Sequence, residues 1–217
     1  MKRKIASFTG GRPIFTGSPA IVPGGFNLDV VNQKFTPGMI IPGGSLAVYD
    51  EVKRTVQIIK TASVVEVNSE NKKEITLKVD EFYSPIFVVG DRITKDGDLP
   101  GSFTDAVQIT AISQTDNSCV ITLSKEISGL TAGDVIVEVT KNARDNSCKV
   151  DRANALTLAD VEVSEFETGV DVTADTMQYA LFERRVPVIP ESQKIGALPA
   201  AGNFLAANPN VKLTQSY

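Results

Sequence analysis

The chain has no histidine, no tryptophan and only two cysteines in 217 residues, and its aromatic content is confined to ten Phe and four Tyr. The missing histidine removes Ser-His-Asp and Cys-His nucleophilic centres and every His-ligated metal site. Without tryptophan a sugar-stacking platform would have to come from Phe or Tyr, most of which sit at core-like positions. A strongly basic face is also lacking. The net charge is -4 and the sequence pI about 5.0, and Lys2-Arg3-Lys4 is the only compact basic run near the N-terminus, so a nucleic-acid partner is not expected.

No apolar stretch approaches the ~18 residues of a membrane span. Ala6-Ser7-Phe8-Thr9-Gly10-Gly11, which follows the basic run, is not a secretory h-region. The expectation is a soluble protein made in the cytosol, with no membrane partner. Cys119 and Cys148 lie in matching contexts, Asp116-Asn117-Ser118-Cys119 and Asp145-Asn146-Ser147-Cys148. Asp-Asn-Ser is turn chemistry, so each Cys should open a strand, and two thiols without His complete no ordinary zinc site. Free thiols are expected. Neither Gly10-Gly11-Arg12 nor Pro23-Gly24-Gly25 has the strand, helix and Gly-Lys-Ser/Thr of a phosphate loop, so no cofactor is expected.

What the chain does contain is a repeated β pattern. Residues 63–94 carry Ile75-Thr76-Leu77-Lys78 and then Gly90-Asp91; residues 107–139 carry Ile121-Thr122-Leu123-Ser124 and then Gly133-Asp134. Alternation of Ile and Leu with Thr, Lys and Ser puts the apolar side chains on one sheet face. Each copy reads as strand, polar turn, strand, loop, Gly-Asp turn, strand. Because a solenoid needs three or more units, two copies predict closure. The fold class is therefore all-β: a small barrel or sandwich built from two related β units, with long extended N- and C-terminal arms.

The expected organisation is a Gly/Pro-rich arm over 1–45, a β domain over 46–190 whose last strands fall in 155–190, and an extended tail over 191–217. Leu46 to Tyr49 and Thr55 to Lys60 read as a hairpin. The arm holds half of the glycines, yet Phe8, Phe15, Phe26 and Phe35 are spaced among them, which is not the composition of a disordered tail. Such a segment should become ordered on a surface, either its own domain's or a partner's. Glu162, Glu165, Glu167, Asp171 and Asp175 tempt a calcium reading, but they alternate with valines and lack the Asp-x-Asp-x-Asp-Gly loop, so a solvated face is expected. Asp80-Glu81 and Glu162-Glu165 are nominal carboxylate pairs for glycoside hydrolysis, with nothing to place them across a cleft. Met177 to Arg185 is read as strand, because Val186-Pro187 forces extended backbone after it.

Ala153-Asn154-Ala155-Leu156-Thr157-Leu158-Ala159-Asp160-Val161-Glu162-Val163, then Gly169-Val170-Asp171-Val172 and Glu183-Arg184-Arg185-Val186-Pro187, resembles capsid-associated proteins of tailed bacteriophages. These are auxiliary, decoration or head-fibre proteins, including those of crAss-like phages and others infecting Bacteroides-like hosts. The resemblance implies a non-enzymatic virion structural protein on the capsid exterior. Its expected partners are the major capsid protein and other virion proteins, in a homo-oligomer with a trimer favoured. Capsid or partner contact would fall to Phe8, Arg12, Phe15, Phe26 and Phe35 of the arm and to Arg184 and Arg185, whose guanidinium groups suit bidentate bonds to carboxylates. A carbohydrate- or cell-surface-binding module is the alternative.

Overall fold

The computed structural model describes residues 13–115, 117–174, 179–194 and 204–215. In chain order its strands are β1 Phe26–Leu28, β2 Ile40–Ile41, β3 Leu46–Asp50, β4 Thr55–Ile58, β5 Thr61–Val67, β6 Glu74–Leu77, β7 Arg92–Lys95, β8 Val107–Gln114 and β9 Cys119–Leu123. There follow β10 Val135–Glu138, β11 Thr140–Lys141, β12 Cys148–Lys149, β13 Ala155–Leu156, β14 Val161–Glu162, β15 Gly169–Val170, β16 Tyr179–Phe182 and β17 Val211–Thr214, with one helical turn, α1 Phe204–Ala207, before the last. The fold is all-β, as expected. Cys119 and Cys148 each open a strand as buried free thiols.

The two repeats close one barrel in the order β10-β5-β6-β9-β8-β7. Its register carries a pseudo-two-fold axis. Ile75 pairs with Ile121 across β6 and β9, and Thr94 with Val137 across β7 and β10, so each repeat position meets its own counterpart. Most other rungs have a mate, and the β5/β6 irregularity between Val64 and Glu66 matches that of β8/β9 between Ile109 and Ala111. Even the turns agree. Gly90 and Gly133 have φ of +98° and +92°, and Asp91 and Asp134 accept a bond from the backbone N–H three residues back, Val88 at 2.8 Å and Thr131 at 2.7 Å. Positive φ is what excludes a Cβ there.

Alternation fills the barrel with Ile75, Leu77, Ile93, Ile109, Ile121, Leu123 and Ile136, all essentially inaccessible. Each such side chain contributes roughly 1.5–3 kcal/mol of transfer free energy. Closure also leaves no free edge to template aggregation.

The remaining chain builds a second layer around the sheet β13-β3-β4-β1-β15. β3 and β4 form the expected hairpin, and β1 lies parallel to β4. The N-terminal stretch is extended, but from Pro13 onward it is paired to its own chain. Phe182 N–H donates to Ile14 O at 2.8 Å, Thr16 to Ala180, Ala174 to Ala20, Val22 to Val172 and Leu28 to Thr168 at 2.9 Å. Residues 14–16 thus run antiparallel to 180–182, and residues 20–28 to 168–174. The tail behaves alike, with Phe204 fully buried and β17 parallel to β16. Neither 13–45 nor 204–215 is a free arm: the Gly/Pro-broken backbone finds its hydrogen-bond partners in 153–194, and its hydrophobes fill two cores there. Residues 175–178 lie outside the described residues; 179–182 is strand, as expected, and then turns through Glu183–Arg185.

Candidate functional site

Most ionisable groups are on the surface, and one cluster is not. The chain passes from β4 to β5 through Ile59 and Lys60, so Lys60 falls where sheet and barrel meet, fully buried. Its Nζ lies 2.7 Å from Asp91 Oδ2 and 3.5 Å from Glu138 Oε1, donates to Lys34 O at 2.7 Å, and sits 4.7 Å from the centre of the Phe35 ring. Gln33 completes the cluster, donating to Glu138 Oε2 at 2.7 Å and to Ile58 O at 2.6 Å while accepting from Ile58 N–H at 2.8 Å. One cation faces two carboxylates, and the nearer takes the stronger bond. Burial pushes the Glu138 carboxyl up to about 7; Lys60 pulls it down and Asp91 pushes it up again.

An open groove of about 990 Å³ passes over this cluster, walled by Asp29, Asn32, Gln57, Arg92 and Phe103. A carboxyl titrating near neutrality under a groove is the usual mark of an acid-base site. Here its oxygens are engaged by Lys60 and Gln33, and Gln33 is locked to the β4 backbone. The cluster's chemistry is therefore spent on joining the layers. Sequence reasoning missed it, since Lys60 reads as the polar end of an apolar run and the residues that bury it lie in three other segments.

The partner-contact residues expected from the sequence are placed differently. Phe8 and Arg12 lie outside the described residues. Phe15 is buried, edge-on to Tyr179 with ring centroids 5.1 Å apart, and Phe26 is buried between Tyr49 and the Arg54 guanidinium. Phe35 is half-buried against the sheet core beneath Lys60. These three rings stabilise the chain's own fold, because the paired backbone on either side turns them inward. Arg185 donates to Pro13 O at 2.7 Å and stacks on Phe182, and Arg184 donates to Gln215 at 3.3 Å. Both guanidiniums therefore reach this chain's own segments at Pro13 and Gln215.

The feature that does face outward is elsewhere. Leu28 N–H to Thr168 O is the last rung between the β1 and β15 chains, and both chains turn sharply beyond it. On one side Asp29 Oδ1 accepts from Val31 and Asn32 N–H at 3.2 and 3.1 Å, which presents Val30 and Val31. On the other, Ser164 Oγ donates to Glu167 O at 2.7 Å and accepts from Phe166 N–H at 3.2 Å, while Ser164 N–H donates to Thr168 Oγ1 at 3.0 Å. Phe166 is left 87% exposed and Val31 90%. Comparison with protein-family models, with curated proteins and with solved structures finds no match. Two hydrogen-bonded turns at one end of a sheet hold three apolar side chains in water, flanked by the exposed acids Glu162, Glu165 and Glu167.

Buried thiols add no reactive centre: desolvation pushes the Cys119 thiol up to about 11 and raises Cys148 as well. Among the described residues no three of His, Cys, Asp or Glu gather as a metal site would, and Asp175 lies outside them.

Proposed function

We propose that this chain is a structural protein of a tailed-phage virion, an auxiliary protein that assembles as a symmetric homo-oligomer on the outer capsid and stabilises the shell. The observation that carries the reading is the apolar end formed by Phe166, Val30 and Val31. A monomeric protein gains nothing by fixing a phenylalanine in water, whereas a surface that meets a macromolecule gains a preorganised anchor. The sequence resemblance to capsid-associated proteins supplies the class of assembly. Decoration would then stabilise the shell by mass action, since the contact exists only in the assembled state.

The test is co-sedimentation of the full chain with purified capsid shells lacking it, alongside shell melting. Binding and a raised shell-disruption temperature are expected. A chain that stays in the supernatant at any ratio overturns the reading. The groove beside Phe103, walled by planar polar side chains, favours a second reading as a carbohydrate-binding module. Glycan-array binding that is lost when the groove residue Asn32 is changed to Ala would favour it over the first.

A further inference from the structure

We infer that the basic N-terminal segment of one copy, residues 1–12, docks on the Phe166 end of the next copy, joining copies head to tail. This rests on the reading of that end as a docking surface and names its occupant.

Charge complementarity points to that segment. The first twelve residues contain Lys2, Arg3, Lys4 and Arg12 with Ile5 and Phe8, and the chain has no acid before Asp29. Conversely, residues 153–183 contain Asp160, Glu162, Glu165, Glu167, Asp171, Asp175 and Glu183 and no Lys or Arg. Glu162, Glu165, Glu167 and Asp171 are exposed, and none is in an ion pair among the described residues. Phe166 inside the acidic rim of Glu162, Glu165 and Glu167 fits a segment in which Phe8 and Ile5 are flanked by cations. The rim would steer and orient, and the rings would supply the buried contact.

Position decides between the chain's own segment and a neighbour's. Arg185 fixes Pro13 at one end of the stretch 13–28, which pairs with 180–182 and 168–174, and Phe166 lies just past the other end. The stretch 13–28 would span roughly 50 Å if straight, and its bend at Gly17 and turn at Gly24 shorten that path. Twelve extended residues reach about 40 Å at most. A segment starting from Pro13 would have to double back with nearly its whole reach to meet its own Phe166 loop, whereas a second copy's loop can be brought to it. The resulting contact is heterologous and closes into a ring when the rotation permits.

Two variants split the contact into halves. A chain lacking residues 1–12 keeps the acceptor end, and Phe166→Ala, at an exposed side chain, keeps the donor segment. Sedimentation velocity should show oligomers for the full chain, dissociating as salt is raised, and monomers for each variant alone. Mixed together, the two variants should give a 1:1 heterodimer, because one intact donor meets one intact acceptor. A synthetic peptide of residues 1–12 should bind the truncated chain at least tenfold more tightly than the truncated chain carrying Phe166→Ala. A full chain that is monomeric at about 100 μM, a truncated chain that still oligomerises, or mixed variants that stay monomeric would each overturn the inference. Shell binding is read separately. A chain that coats shells without self-associating keeps the proposed function and loses this contact, and one that self-associates but ignores shells does the reverse.

Discussion

The two halves of the barrel share strand order, register, bulge and Gly-Asp turn, yet their two turn aspartates sit in opposite environments. Across β7 and β10 the pseudo-two-fold exchanges Lys95 with Glu138, since Ile136 pairs with Lys95 where Glu138 pairs with Ile93. Asp134 consequently has Lys95 beside it at 2.9 Å, and both remain partly exposed. Asp91 has an acid, Glu138, at the corresponding place, and both are buried. The cation comes instead from Lys60, immediately before β5; the counterpart position before β8 is Asp105, exposed at the end of a short helical turn. Symmetry is thus broken at the point where the second layer covers the barrel. A duplicated scaffold stays symmetric wherever water surrounds it and diverges where an asymmetric partner must be joined.

The largest expected effect comes from removing each half's cation. Lys60→Met leaves Asp91 and Glu138 buried, close together and without a counter-charge, and breaking a buried pair in this way costs about 3–5 kcal/mol. Lys95→Met removes a partly exposed pair and should cost less than about 1 kcal/mol. Urea denaturation of both variants measures the contrast. Equal losses would mean that the buried cluster is not what joins the layers.

The same comparison predicts opposite responses to pH. Glu138 has a folded value raised from 4.5 to about 7, so between those values the folded state holds a proton that the unfolded state has released. Stability is then greatest below about 4.5 and falls as pH rises through 7, by at most about 3 kcal/mol, and Glu138→Gln should flatten that slope. Asp134 behaves in the reverse sense. The Lys95 hydrogen bond holds its carboxyl below the usual 3.8, so its contribution is present above that value and is lost as pH falls through the lower folded one. Thermal melts from pH 3 to 8 on Glu138→Gln and Asp134→Asn should separate the two windows. A Glu138→Gln slope parallel to the parent chain's would remove Glu138 as the titrating group.

The barrel was legible in the sequence because its signal is local: Ile-Thr-Leu alternation and Gly-Asp turns recur in one repeat. The second layer was not, because its strands are two to five residues long and pair across most of the chain, as β1 does with β15. Phe15 and Phe26, expected at a partner contact, pack on the chain itself: Phe15 against Tyr179, and Phe26 against Tyr49 and Arg54. Arg184 and Arg185 are a dense charge spot that sequence cannot distinguish from a partner site, since what engages them is backbone and amide oxygen at the chain's ends. Phe166 sits among the alternating acids and valines of 161–172, where the sequence gives it no special place. Its exposure comes from the turn built by Ser164 and Thr168, which interrupts the strand on both sides.

The smallest contrast lies in the turns themselves, where the halves should respond alike. Gly90 and Gly133 have nearly equal positive φ, so alanine at either position meets the same left-handed strain, about 1–2 kcal/mol. Their surroundings differ only beyond the backbone. A Cβ at Gly133 would meet open space, and one at Gly90 would come within 2.9 Å of Lys34 Nζ, the free end of a long side chain that can swing aside. Gly90→Ala and Gly133→Ala should therefore agree to within about 0.5 kcal/mol in denaturant unfolding, unlike the lysine pair. A much larger loss at Gly90 alone would show that the strain reaches Asp91 and the buried cation one residue away, and that the asymmetry of the charge cluster extends into the turn that carries it.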